Sequence, residues 1–496
     1  MSAAPIDCSD VQGLVRFGYA SLTEACFRLL RVKDFNAARS WIGAAPVTNA
    51  VETSSAPDNA LQIAITSEGL RALNVPDDIV YGFSAEFISG MAGEESRSRR
   101  LGDVAFNAPS NWRWGSAGSV PHLLVMLYSK PRGLDAWTQT AKGQFWSSAF
   151  EEIDCLSTAD MQGFEPFGFT DGVSQPQLDW DRTRKSEGDE LEYGNLVAIG
   201  EFLLGYPNEY GKYTDRPLID LGHDLRGQLL AAEEDPQKHD LGRNGTYLVF
   251  RDLRQEVRGF WQFLDRQAGS NAVERMTLAE AMVGRTIAGT PLVAPVSRKI
   301  AGVDSRSNQF TYETDVEGSK CPLGAHIRRA NPRTGDFPYG TRGFIGRLVR
   351  VFGFGRKNLR DDLISSSRFH RILRRGREYG EKLSLEQALE PAGSEARESG
   401  LRFVCLNANI SRQFEFVQTA WIMGTKFDGL SGESDPLLGN REPIAGCPAA
   451  DSFSIPRTGG VRRRITQMPR FVSVRGGAYF FLPSLRALRY IADLGQ

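Results

Sequence analysis

The sequence predicts an α+β fold made of two related halves. Three observations carry this reading: short apolar strand-like runs recur in both halves, helix-period segments follow them, and the connections have antiparallel length. Ser21-Leu22-Thr23-Glu24 has the form of a capping box and predicts a helix running to about Trp41. Leu61, Ile63 and Ile65 alternate as a strand, and Ser67-Glu68-Gly69-Leu70 opens a short helix after it. His122 to Tyr128 is a nearly continuous apolar strand. In the second half, Thr246 to Arg251 reads as a strand, followed by a helical stretch through Gln255, Phe260, Trp261 and Leu264. Leu401 to Leu406 is another strand, followed by a helix bearing Phe414, Val417 and Trp421. The Gly/Asn/Tyr/Asp-rich stretch from Gly205 to Asp215 is the linker candidate, which places one domain at 1–215 and the other at 216–496. Two basic clusters, Arg97/Arg99/Arg100 and Arg462/Arg463/Arg464, read as solvated surface.

Composition bounds the function. A chain of 496 residues with 41% hydrophobic and 24% charged residues has ample material for a globular core. A formal net charge of -1 argues against nucleic acid or an anionic membrane as general partners. The N-terminal residues carry no basic stretch followed by an apolar core, and no apolar run approaches the roughly 18 residues that span a bilayer, so a cytoplasmic location is expected. The six cysteines (Cys8, Cys26, Cys155, Cys321, Cys405, Cys447) are sparse and widely spaced, which suits reduced thiols better than a disulfide scaffold.

Three segments carry the chemistry. In Glu165-Pro166-Phe167-Gly168-Phe169-Thr170-Asp171-Gly172-Val173-Ser174-Gln175-Pro176, a carboxylate is held between glycines with aromatic residues just before it. Glycine takes positive φ at little cost and lets a loop approach a flat ligand closely, although Asp-Gly alone is also a common turn dipeptide. The second segment, Cys321 to Arg333, contains His326. The five histidines (His122, His223, His239, His326, His370) form no i, i+3 or i, i+4 pair, so no multi-histidine zinc helix is present. A site with one protein ligand remains feasible, haem being the main case, since its pyrroles supply the other equatorial bonds; a structural histidine is the plain alternative. Arginines close behind His326 suit haem propionates. The third segment, His370 to Gly380, is rich in arginine, and an Arg beside an Asp above haem would activate peroxide. For Arg371, Arg375 and Arg377 a solvated basic face is the competing reading.

On these residues the chain resembles the dye-decolourising (DyP-type) haem peroxidases. Gly168-Phe169-Thr170-Asp171-Gly172 fits the G-x-x-D-G signature, Cys321 to Arg333 the proximal-histidine segment, and Ile372-Leu373-Arg374-Arg375-Gly376 the distal-arginine segment. Further matching stretches are Gly200 to Pro207, Gly245 to Asp252 and Phe471 to Pro483, so the resemblance runs in order from about residue 160 to 485, with only a loose match before it. It implies two ferredoxin-like domains with one haem b between them, held mainly by the C-terminal half, while the N-terminal domain carries the Asp171 loop. It implies His326 as the proximal iron ligand, Asp171 as the distal acid–base, and Arg374 as the distal cation, because Arg374 stands two residues before Gly376. Arg328 and Arg333 would then be propionate partners, and Leu401 and Phe403 the apolar pair on the distal face. Many relatives place an acid after the following strand to accept the proximal imidazole N–H. Here Asn409 is expected at that place, and a neutral acceptor should raise the iron potential.

Two function classes follow. One is a peroxidase that reduces hydrogen peroxide and oxidises bulky aromatic donors such as dyes and phenols. The other is a non-catalytic haem or tetrapyrrole carrier on the same scaffold. Asp171 and Arg374 favour the enzyme, because a carrier needs an axial ligand but no distal acid–base. A homo-oligomer is left open by the sequence.

Overall fold

The computed structural model describes residues 5–183, 194–224, 226–297, 299–300, 302–303, 305–333, 367–391, 393, 397–442, 450–457 and 459–494. Cys447 and the first four residues therefore lie outside the described residues.

Nine strands form one sheet. Four come from the N-terminal half: β1 (Glu24–Val32), β2 (Asn59–Ile65), β3 (Leu123–Ser129) and β4 (Phe150–Ser157). Five come from the C-terminal half: β5 (Thr246–Gln255), β6 (Leu373–Arg374), β7 (Arg377–Tyr379), β8 (Ser399–Asn407) and β9 (Val472–Leu482). The spatial order is β6-β8-β5-β9-β2-β3-β1-β4, with β7 also on β8. With β6 and β7 counted as one broken strand, each half repeats one arrangement, because its first strand lies between its third and fourth while its second flanks the third. That is the ferredoxin-like order, and all the pairings between these strands are antiparallel. The halves join edge to edge through one pair, Phe481 on β9 with Ile65 on β2.

Helices cover the sheet. In the N-terminal half α1 (Phe35–Ala44) follows β1, α2 (Ser67–Ala72) follows β2, and α3 (Leu134–Lys142) links β3 to β4. In the C-terminal half α4 (Val257–Gln267) and α5 (Ala272–Val283) follow β5. Two π-helical turns, Ser411–Glu415 and Val417–Ile422, follow β8 and carry Phe414, Val417 and Trp421 as expected. Two apolar cores line the two faces of the sheet, one with Leu61, Ile63 and Leu253, the other with Phe27, Ala64 and Phe250. Neighbours along β2 and β5 fall into different cores because successive strand side chains point to opposite faces.

Three expectations are corrected. Residues 21–41 are not one helix. Glu24–Val32 is a strand paired with both β3 and β4, and the helix begins later, where the Asp34 side chain accepts the Ala37 N–H at 2.7 Å. The tertiary pairing of an interior strand outweighs the local capping pattern. Arg97 is not solvated: it is buried and its Nε lies 2.8 Å from Glu415 Oε1, whereas Arg99 and Arg100 are exposed. The 205–215 segment is tied down rather than a tether. Asn208 Oδ1 accepts the N–H groups of Tyr210 and Lys212 at 3.0 and 3.1 Å, and Glu209 Oε1 that of Ala198 at 2.8 Å. No helix among the described residues is long and apolar enough to cross a membrane.

Candidate active site

The three predicted segments meet at one large cavity on the C-terminal half-sheet. Its floor follows from strand periodicity. Arg251, Leu253 and Gln255 on β5, Leu401 and Phe403 on β8, and Val472 and Val474 on β9 alternate toward it.

The Asp171 loop is fixed along its length. The Glu165 carboxylate accepts the N–H groups of Phe167 and Phe169 at 3.0 and 2.9 Å, and the Gln255 side-chain amide at 2.8 Å. Trp261 Nε1 donates to Phe167 O at 3.0 Å. Gly168 (φ 97°) and Gly172 (φ 70°) lie in the left-handed region, so positive φ is the reason for glycine on either side of the acid. Thr170 donates its N–H and its hydroxyl to Ile287 O at 3.0 and 2.8 Å, and the Asp171 N–H donates to Gly163 O at 2.9 Å.

Arg374 Nη1 donates to Asp171 Oδ1 at 3.0 Å, and Nη2 to Ser174 O at 3.3 Å. Gln175 clasps the Arg374 backbone, accepting its N–H and donating to its carbonyl, both at 3.1 Å. Because Arg374 pairs with Cys405 on β8, its neighbour must point the other way. Arg375 does so: its Nε donates to Leu14 O at 2.7 Å and its Nη2 to Val15 O at 3.0 Å. A Cβ on Gly376 would stand 2.6 Å from Arg402 O, which accounts for glycine two residues after Arg374. The solvated reading of Arg371 and Arg375 is set aside. Arg371 is buried and reaches Asn195 Oδ1, while Arg377 Nη2 donates to Tyr19 O at 2.6 Å.

His326 opens a short helix, α6 (His326–Ala330), and lines the cavity. Its Nδ1 lies 2.9 Å from Asp435 Oδ2, and the other oxygen of that fully buried carboxylate accepts the N–H groups of Leu437 and Leu438, both at 2.8 Å. An ionised carboxylate has no proton to give, so it accepts the hydrogen bond of Nδ1–H and leaves Nε2 with the lone pair. Asn409 is therefore not the proximal acceptor. Its side chain accepts the Arg412 N–H at 2.8 Å and the Ser411 hydroxyl at 3.1 Å, capping the turn after β8.

Of the two expected propionate partners only one faces the cavity. Arg333 lines it, its Nη1 donating to Asn308 O and Phe310 O at 3.0 and 2.8 Å. Arg328 does not. It stands two residues after His326 on a helix, about 200° around the axis, so it points away. Its Nη1 donates to Asp315 O at 3.0 Å, and its guanidinium lies 4.5 Å from the Tyr312 ring centre. Arg285 and Arg371 line the cavity instead, with Arg251 on its floor.

The electrostatics separate the acids. Burial opposes the charged form of Asp171, but the Arg374 guanidinium and the Gly172 N–H outweigh it and hold the carboxyl below its ordinary value. Its side chain is 34% exposed and that of Arg374 37%, and both line the cavity. Burial pushes Glu165 up to about 7 despite its hydrogen bonds. Burial lowers the His326 pKa while Asp435 raises it more, and Asp435 itself is lowered by His326 against its own burial. Among the described residues no cluster of three or more His, Cys, Asp or Glu could hold a bare metal ion. One imidazole with a fixed Nδ1, apolar walls and several arginines fit a flat apolar macrocycle with an anionic edge, which is haem.

No family model matches the chain. Curated relatives do. The dye-decolorizing peroxidase msp1 of Mycetinis scorodonius is 27% identical over 528 aligned residues, covering 99% of this chain and 89% of the relative. A dye-decolorizing peroxidase of Mycena epipterygia is 30% identical over 484, covering 90% and 78%. Among solved structures, a fungal DyP-type peroxidase from Auricularia auricula-judae superposes with TM-score 0.72 at 23% identity over 99% of this chain and 100% of its own. A dye-decolorizing peroxidase in complex with 2,6-dimethoxyphenol gives 0.71 at 24%, over 98% and 100%.

Proposed function

The chain belongs to the dye-decolourising peroxidases, and on that premise we propose a role for each residue of its site. The protein is a haem peroxidase that reduces hydrogen peroxide and oxidises aromatic donors. We take the group to be haem b, one per chain, with bulky dyes and phenols as donors; a phenol is the ligand in one related structure.

His326 would hold the haem iron through Nε2. Asp435, by holding Nδ1, fixes the ring and gives the ligand imidazolate character. Arg333, Arg371 and Arg285 are the candidates for the propionate edge, and Leu401 and Phe403, which line the cavity, would face the side of the haem where peroxide reacts. Haem supplies the iron at which the peroxide O–O bond is cleaved and the oxidising equivalents that donors later consume. Asp171 takes a proton from one peroxide oxygen and returns it to the other, which departs as water. Arg374 stabilises negative charge on that departing oxygen and keeps Asp171 ionised between turnovers. The observation that carries this reading is the 3.0 Å Arg374–Asp171 contact at the cavity that His326 also lines. A carrier would have no use for that pair. The test is Asp171→Asn: haem content should stay near wild type while reaction with peroxide slows strongly. Loss of haem without a specific loss of peroxide reactivity would count for a purely structural Asp171.

A further inference from the structure

Outside the haem cavity, β1 and β4 carry a pair of cysteines. In the register Cys26↔Ser157 and Arg28↔Cys155, Cys26 and Cys155 sit diagonally on the same face of the two strands, where side chains remain within reach. Each thiol shifts the titration of the other, as neighbours on one face do. Cys26 is buried and Cys155 exposed. Arg28, which pairs with Glu152 at 2.6 Å, stands beside both thiols. The pair occupies the outer end of the sheet, since β4 is its last strand, and the β1–β4 register shifts at Leu29/Leu30. An edge strand next to a bulge can take up the movement that bonding two diagonal sulfurs requires.

We infer that Cys155 and Cys26 form a peroxide-responsive dithiol, in which Cys155 is the attacking thiol and Cys26 the resolving one, and which closes to a disulfide between β1 and β4. The inference rests on the peroxidase reading only in taking hydrogen peroxide as the oxidant this protein meets. In the first step Cys155 Sγ attacks one peroxide oxygen, the O–O bond breaks, and hydroxide leaves and is protonated to water, giving a sulfenic acid. In the second, Cys26 Sγ attacks Cys155 Sγ, an S–S bond replaces the S–OH bond, and a second water leaves. The balance is two thiols and one peroxide to one disulfide and two waters. The direction follows from the environments. Cys155 is exposed to peroxide and stands opposite Arg28, whereas Cys26 is buried behind it. The neighbouring Cys26 thiol, against partial burial and with help from Arg28, brings the Cys155 thiol down to about 7, whereas Cys155 and burial push Cys26 up, so Cys155 is the better thiolate of the two.

The experiment is peptide mapping of the holoenzyme under non-reducing conditions after graded hydrogen peroxide, with alkylation of the remaining thiols. The expected result is one linked species joining the peptides that hold Cys26 and Cys155, lighter by two hydrogens and reversed by dithiothreitol. Cys26→Ser should stop at a Cys155 sulfenic acid that dimedone captures, and Cys155→Ser should leave Cys26 reduced. Full alkylation of both thiols after peroxide, stable sulfenic or sulfinic acid at Cys155 without linkage in the wild type, or Cys26 oxidation in Cys155→Ser would each overturn it. Dye turnover is assayed separately, so a chain that oxidises its thiols but not dyes would sink the peroxidase reading and spare this one.

Discussion

Asp171→Asn removes a base without removing volume, and the structure sets what that should cost. Asparagine keeps the loop's backbone contacts, because the Asp171 N–H donation to Gly163 and the positive φ of Gly168 and Gly172 do not involve the carboxylate. The lost contact with Arg374 is a single 3.0 Å hydrogen bond between side chains each about a third exposed, so screening limits its share of stability to about 1 kcal/mol or less. The kinetic loss is of another size. A positioned general acid–base contributes about 10²–10⁴-fold, or roughly 3–5 kcal/mol of barrier. Stopped-flow absorbance should therefore show the bimolecular reaction with peroxide slowed by about that factor, with the melting temperature nearly unmoved. The pH profile checks the same group. Its pKa lies below the ordinary 3.8, so the wild-type rate should hold steady down to about that pH and fall below it as the carboxylate is protonated. The Asp171–Arg374 contribution to stability has the same sign, present above the unfolded pKa and lost as pH falls through the folded one. An Asp171→Asn rate within threefold of wild type at pH 5, with full haem content, would refute the assignment.

The remaining expectations concern its neighbours. Arg374→Leu should slow the reaction with peroxide by about 10²-fold or more through loss of charge stabilisation, whereas Arg375→Leu, whose side chain binds the carbonyls of residues 14 and 15, should leave that rate nearly unchanged; the reverse order in stopped flow would place the cation one residue later. His326→Ala should abolish stable haem incorporation or its histidine-ligated ferric spectrum, and an unchanged spectrum would move the ligand elsewhere. Asp435→Asn should raise the iron reduction potential, since a neutral acceptor withdraws imidazolate character, and spectroelectrochemistry reads this directly. Glu165→Gln should flatten the pH dependence of stability. Its raised native pKa makes the folded chain bind a proton more tightly, so stability should decline as pH rises from about 4.5 through 7 in the wild type and less in the variant, as thermal melts across that range would show.

What could be read from the sequence was what is encoded locally. Asp171 stands out because the loop needs positive φ at Gly168 and Gly172, and Arg374 because a side chain on Gly376 would collide with β8. Leu401 and Phe403 follow from strand alternation. Asp435 could not be found this way. It lies 109 residues beyond His326, and nothing in Ser434-Asp435-Pro436 distinguishes its carboxylate from others until the fold brings it to Nδ1. Arg328 was misplaced because proximity in sequence was taken for proximity in space, which a helix denies to residues two apart. The run Glu24–Val32 is apolar at both strand and helix spacing, so only its two strand partners decide between them. The burial of Arg97 depends on Glu415, more than 300 residues later.

Three acids line the cavity; Asp103 is paired with Arg251, and the opposite shifts of the other two, Asp171 and Glu165, suit a site with one carboxylate as its proposed base. Burial raises the Glu165 pKa, its hydrogen bonds lower it, and repulsion from Asp171 adds a smaller push upward. Arg374 pairs with Asp171, so the cation settles the competition in favour of the residue we propose acts on peroxide. Below pH 7 the raised Glu165 pKa thus favours its neutral form, in which it holds the loop, while the lowered Asp171 pKa keeps that group a carboxylate. Losing Arg374 would do more than remove a positive charge from the transition state. It would let the Asp171 pKa climb under burial, so an Arg374 variant should show its acid limb displaced upward relative to wild type as well as a lower plateau. A plateau loss with no displacement would mean that the guanidinium acts on the peroxide alone and that some other donor keeps Asp171 ionised.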